Sequence, residues 1–265
     1  MPTAPILTPS SGPFTELNEV SSTNIYAADQ VQANMAGHGS AFFAHRQTSG
    51  KGRRGKNWYS PAGENVLLSV VLDMKFQPVT QQFPLGMAMA LAGFDLFSRY
   101  APEKTSIKWP NDIFWGDRKA GGILIDNIIG APGTSEISPV SGSSSWKWAI
   151  AGIGMNINQQ DFPAELSKAG SLKLATGISY DVPALARELH ALVLARYEQL
   201  KQGETGLLCD EYNRHLYLRQ QSVRLKKDSA VFSCRVESVN ASGELLVSGA
   251  VRDRFSFGEV EWIID

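Results

Sequence analysis

Residues 50–56 read Gly-Lys-Gly-Arg-Arg-Gly-Lys, four cations among three glycines, with Trp58 just beyond. Glycines let backbone N–H groups come close to an anion, and the cations neutralise it. Guanidinium groups donate in a planar fork that suits phosphate or carboxylate. The same composition also describes a solvated loop or a nucleic-acid contact, and residue types alone leave these open. A P-loop is excluded, because Asn57 rather than Ser or Thr follows Lys56. The letters G-x-G-x-x-G occur at 50–55, but cations fill the x positions, so the match to a dinucleotide fingerprint is one of letters alone.

Two further segments carry chemistry-bearing residues. Lys108-Trp109-Pro110-Asn111-Asp112 is followed by Arg118-Lys119-Ala120-Gly121-Gly122-Ile123, which sets two lysines and a carboxylate near strand ends. A tight turn with surface charges would look alike. Gly152-Ile153-Gly154-Met155-Asn156-Ile157-Asn158 places two glycines in an apolar strand, the mark of a close approach by backbone or ligand. Asn156 and Asn158 are expected to point the same way, and a β-bulge with satisfied amides is the alternative.

These residues need a frame. The Ser21-Ser22-Thr23-Asn24 cluster suits helix caps, with a short helix over 25–31. Residues 40–46 and 65–73 read as strands, the second almost wholly apolar and so covered on both faces. Phe83, Met87, Ala90, Leu91, Phe94 and Phe97 recur at helical spacing within 81–100. Short strands follow at 106–108 and 113–115, and longer ones at 119–129 and 146–157. A Gly-, Pro- and Ser-rich stretch at 130–145 reads as a long hairpin loop between them. Helices are expected over 182–201 and 204–214. From about 218 the pattern alternates apolar with polar in four runs, 222–226, 231–239, 244–248 and 255–264, as in a small β-barrel.

The fold class is therefore α+β, a mixed sheet with helices followed by a barrel. The division is a tail over 1–13, a catalytic unit over 14–218 and the barrel over 219–265. A net charge of −1 over 265 residues gives no general pull toward nucleic acid or membrane. Cys209 and Cys234 fit reduced thiols rather than a disulfide framework or a zinc site. No apolar run reaches the ~20 residues of a membrane span, and residues 1–13 do not resemble a signal peptide. A cytoplasmic protein is expected.

In order and spacing, these segments resemble the biotin protein ligase family. Ser22-Thr23-Asn24 matches its early S-T-N. Gln47 through Gly55, with Trp58 and Ser60-Pro61, matches its arginine-glycine loop. Residues 108–112 match K-W-P-N-D, Arg118-Lys119 with 121–124 matches R-K-x-x-G-I-L, and 152–156 matches G-x-G-x-N. Lys51 departs from the usual Arg, keeping the charge and losing the fork.

The resemblance implies a biotin/lipoate ligase-like core and an SH3-like barrel. It implies biotin and ATP as substrates, Mg²⁺ with the ATP, and a biotin carboxyl carrier domain as acceptor. Lys119 and Arg53 are then catalytic. Ser22, Thr23, Asn24, Gln47, Gly50, Lys51, Gly52, Arg53, Lys119 and Gly122 bind biotin. Arg53, Arg54, Trp58, Lys108, Asn111, Asp112 and Asn156 bind ATP, and no residue is assigned to a protein-held metal. A homodimer is compatible with the family. The repressor members' helix-turn-helix has no room in residues 1–13, so no DNA contact is expected. None of the matched positions lies after residue 221, so the barrel is expected to aid binding or transfer without carrying chemistry.

Overall fold

The computed structural model describes residues 12–130 and 145–263. The expected tail and the expected 130–145 loop fall almost wholly outside these residues. Seven strands form one mixed sheet: β1 (Phe14–Val20), β2 (Ala41–Gln47), β3 (Asn65–Asp73), β4 (Thr105–Lys108), β5 (Asp112–Trp115), β6 (Arg118–Ile129) and β7 (Trp146–Asn156). Their order is β1-β2-β3-β7-β6-β5-β4. Only β1 and β2 pair in parallel.

Alternation along the central strands gives the sheet two faces. On one, Val66, Leu68, Val70 and Leu72 of β3 join Ala149, Ala151, Ile153 and Met155 of β7 in a core. That core continues into α2 (Phe83–Tyr100), α4 (Val182–Lys201) and α5 (Thr205–Arg214). Asp181 caps α4, its carboxylate accepting from Ala184 N at 3.1 Å. Arg196 of α4 is clamped by Asp95 of α2 at 2.8 Å and Glu211 of α5 at 2.7 Å, tying the three helices together. The other face carries α1 (Thr23–Gln32), whose Ala27 and Val31 pack on Phe42, Val71 and Ile150. The same alternation brings Ser69, Gly152, Gly154 and Gly122 to this second face, with Ser69 opposite Gly152 and Gly122 opposite Gly154.

The C-terminal unit holds β8 (Ser222–Lys227), β9 (Ala230–Val239), β10 (Leu245–Ser248), β11 (Arg254–Phe255) and β12 (Glu261–Ile263) in the order β11-β10-β9-β8-β12. The single strand expected over 255–264 is a correction: a turn at Ser256–Gly258 splits it. The two pieces pair with different partners, β10 and β8. Among the described residues the end strands do not pair with each other, so the expected barrel is an open five-stranded sheet. It joins the core through Asn213 Nδ2 donating to Val239 O at 2.8 Å and Trp109 Nε1 donating to Gly243 O at 3.0 Å.

Two elements escape the sequence pattern. β1 is a half-exposed edge strand with only Phe14, Leu17 and Val20 as apolar residues. The small helix α3 (Leu172–Thr176) is one turn long, set by Ser171 accepting from Leu174 N and by left-handed Gly177.

Candidate functional site

Helix α1 starts at Thr23, two residues before the expected start. Ser22 is its N-cap, yet its side chain makes no capping bond. The cluster read as caps turns toward the sheet instead. Thr23 and Asn24 are buried, and their partners explain why. Gln47 Oε1 accepts from Thr23 N at 2.8 Å. Asn24 Nδ2 donates to Asp126 Oδ2 at 2.8 Å and to Leu124 O at 3.3 Å. Its Oδ1 then faces Ser69, whose hydroxyl lies 2.6 Å away and donates to it.

This network has a direction. Thr23 Oγ1 lies 2.7 Å from Ser69 Oγ and 3.1 Å from Gln47 Oε1, so its one hydrogen is engaged with one or the other. Its free lone pair is left as an acceptor. Gln47 uses its oxygen on Thr23, so its Nε2 is the donor that remains. A Cβ on Gly50 would lie 3.1 Å from that nitrogen. The floor thus sets an acceptor beside a donor, the complement of a planar amide or urea.

The glycines of this face make room. A Cβ on Gly152 would stand 2.2 Å from Asn24 Oδ1, and one on Gly154 2.5 Å from the Trp58 indole. The close approach expected of this glycine pair is made by those two side chains. The Trp58 ring also covers Gly122, where a Cβ would be 3.2 Å away, and Lys119 Nζ lies 5.8 Å from its centre.

Lys119 reaches this face through a bulge. In the β5–β6 ladder Ile113 opposes Gly121 while Phe114 opposes Lys119, leaving Ala120 extra. The additional residue reverses the side-chain alternation, so Lys119 lies on the same face as Gly122. Its Nζ is paired with Asp112 Oδ1 at 2.6 Å. Lys108 stands opposite Asp112 across the ladder. Burial pulls the Lys108 ammonium down to about 8, with Asp112 opposing the shift and Lys119 adding to it. One carboxylate therefore serves several cations, an arrangement with spare positive charge for an anion.

Residues 50–58 close over this cluster as a narrow hairpin. Gly52 N donates to Lys56 O at 2.7 Å and Trp58 N to Gly50 O at 2.9 Å. Arg54 takes a left-handed turn at φ 56. Lys51 is exposed and bridges to Asn57. Burial lowers the Arg53 pKa, and Asp112 opposes the shift.

Two residues expected at the nucleotide also bond to backbone carbonyls. Asn111 Nδ2 donates to Ile123 O at 2.7 Å, and Asn156 Nδ2 donates to Gly170 O at 2.9 Å. Asn158 does not share the Asn156 direction: it exchanges two bonds of 2.9 Å with the Tyr180 backbone. Sequence reasoning missed Ser69, Asp126 and, from the C-terminal unit, Phe257. Ser69 did leave a signal, as the lone hydroxyl inside the apolar run 66–72.

The model of the biotin/lipoate A/B protein ligase family matches residues 17–141. The chain is 28% identical over 193 residues to the bifunctional ligase/repressor BirA of Salmonella typhimurium, covering 72% of this chain and 56% of that protein. It is 27% identical to the biotin–[acetyl-CoA-carboxylase] ligase of Mycobacterium tuberculosis, covering 76% of this chain and 71% of that one. The chain spans little more than half the length of the BirA proteins it matches. In fold it is similar to the biotin protein ligase of Aquifex aeolicus in complex with biotin and ATP. There the TM-score is 0.74 at 21% identity, over 95% of this chain and 99% of that one.

Proposed function

We propose, from the match of the biotin/lipoate A/B protein ligase family model to residues 17–141, that this chain activates biotin with ATP and transfers the biotinyl group to a carrier lysine. One observation carries the reading. A single sheet face holds a neutral floor that complements a urea, and beside it a cationic rim, with Lys119 next to Gly122 where the two meet.

Biotin lies with its ureido ring on Thr23 and Gln47. Its carboxylate points to Lys119, and a carboxylate oxygen attacks the α-phosphorus of ATP. The bond from that phosphorus to the bridging oxygen breaks, giving biotinyl-5′-AMP and pyrophosphate. Lys119, Arg53, Arg54 and Lys108 offset the charge that gathers on the phosphoryl oxygens. Next the acceptor lysine amine attacks the acyl carbon, the bond to the AMP oxygen breaks, and the amine loses its proton. Positioning and charge carry both steps, so no nucleophile of the protein is required. Mg²⁺ enters with the nucleotide as MgATP.

The acceptor is a biotin carboxyl carrier domain, and we place the reaction in the cytoplasm. No helix among the described residues is long and apolar enough to cross a membrane. The β1 edge of the sheet offers a pairing surface to a second copy, which sedimentation would test. For the activity itself, the protein is mixed with biotin, MgATP and a carrier domain. Biotin-dependent pyrophosphate release followed by a labelled carrier lysine is expected. Release that depends on lipoate or octanoate instead would replace the substrate, and none with any acid would refute the reading.

A further inference from the structure

Phe257 sits in the turn between β11 and β12 and is 39% exposed. Two guanidinium groups lie over its ring: Arg53 Cζ is 3.7 Å and Arg54 Cζ 5.0 Å from the centre. The Trp109 ring meets it at 6.2 Å and 72°. Gly258 follows at φ +90, and a Cβ there would fall 1.6 Å from Arg54 Nη2. The turn is therefore moulded to the arginines of a loop about 200 residues away in sequence.

The contrast with Arg196 is informative. That guanidinium is saturated by Asp95 and Glu211. Neither Arg53 nor Arg54 has a side-chain hydrogen bond or ion pair among the described residues. A guanidinium held by its face keeps its in-plane N–H donors free.

We propose that Phe257 is a positioning residue: its ring fixes the Arg53 guanidinium by the face and leaves the fork open to oxygens of the reacting carboxylate and triphosphate. The inference rests on the adenylating activity proposed above. It makes the C-terminal unit a contributor to the first chemical step, contrary to the expectation from its lack of matched motifs.

The test uses the full chain with Phe257→Leu and Phe257→Tyr. Leucine keeps apolar bulk against Trp109 and removes the π face; tyrosine keeps the face. Biotin-dependent ATP–pyrophosphate exchange gives kcat and KM, free biotinyl-AMP is measured by chromatography, and melting reports the fold. Phe257→Leu is expected to raise KM for ATP about three- to thirtyfold and to release more free biotinyl-AMP, while Phe257→Tyr stays within about twofold of wild type. A purely structural role would instead move melting and kinetics together. If Phe257→Leu fails to fold, Phe257→Met makes the same comparison with an unbranched chain. Wild-type kinetics in the folded non-aromatic variant, or a tyrosine variant as impaired as it, overturns the proposal and leaves the activity standing. A wild-type protein with no biotin-dependent exchange overturns both.

Discussion

The floor around Thr23 and the rim around Lys119 share one sheet face but follow opposite rules. In the floor, polar groups satisfy one another: Gln47, Thr23, Ser69, Asn24 and Asp126 form a chain of bonds between 2.6 and 3.1 Å. In the rim, Lys108, Lys119 and Arg53 crowd around Asp112, the first two adjoining it in the β4–β6 ladder. The floor's bonds are completed within the fold, and under the proposed function it selects by donor and acceptor pattern. The rim is short of negative charge and gains it only from a substrate. Under the proposed function, recognition rests on completed bonds and reaction on incomplete ones.

Four changes test that division, the largest first. Lys119→Ala is expected to cost ~2.7–4 kcal/mol of transition-state stabilisation, the range for one lost oxyanion donor. Pyrophosphate release should collapse while circular dichroism is unchanged; near-normal release would remove Lys119 from the rim's chemistry. Gly152→Ala drives a methyl into Asn24 and should weaken biotin binding by ~1–3 kcal/mol, the range for a disrupted buried hydrogen-bond partner. Calorimetry reading wild-type biotin affinity would mean the floor can give way. Ser69→Ala should raise KM for biotin and leave KM for ATP alone. An equal rise in both would merge the two regions into one.

The smallest effect is one of pH. Lys108 titrates at about 8 in the free protein. A bound triphosphate stabilises its charged form and raises that pKa. ATP binding should therefore weaken above pH 8, by up to about tenfold per unit, and Lys108→Arg should flatten the profile. An unchanged slope in the arginine variant would assign the titration elsewhere. The glycine loop adds a separate check on the rim. Arg53→Gly should let biotinyl-AMP escape and increase self-labelling of the protein; labelling no higher than wild type would mean that Arg53 does not retain the intermediate.

The sequence exposed the central strands and long helices because they are periodic. Residues 65–73 and 182–201 were placed to the residue, since burial on both faces of one and a single apolar stripe on the other leave clear patterns. The β1 edge strand was invisible, its half-exposed residues carrying no such pattern. Cationic and glycine positions were legible as types, but not their orientation. Nothing local announces that the bulge at Ala120 turns Lys119 over. Asn111 and Asn156 stand in matched motifs, yet their amides bond to backbone carbonyls. Phe257 was hidden for another reason: it works on a loop from the far end of the chain.

The register of Ser69 against Gly152 also bears on how the chain is made. The two residues are separated in sequence by helix α2 and the three strands β4, β5 and β6, so closing that contact carries the entropy of a long loop. The C-terminal sheet, by contrast, pairs β8, β9 and β10 in sequence and closes through short turns. During synthesis β3 emerges well before β7 can cover its free edge. The nascent chain therefore carries the largely apolar 65–73 strand unpaired on that side while the polar floor above it lacks its glycine bed. The floor can be completed only after β7 has been made, and until then the free edge of β3 is a site for pairing with another chain.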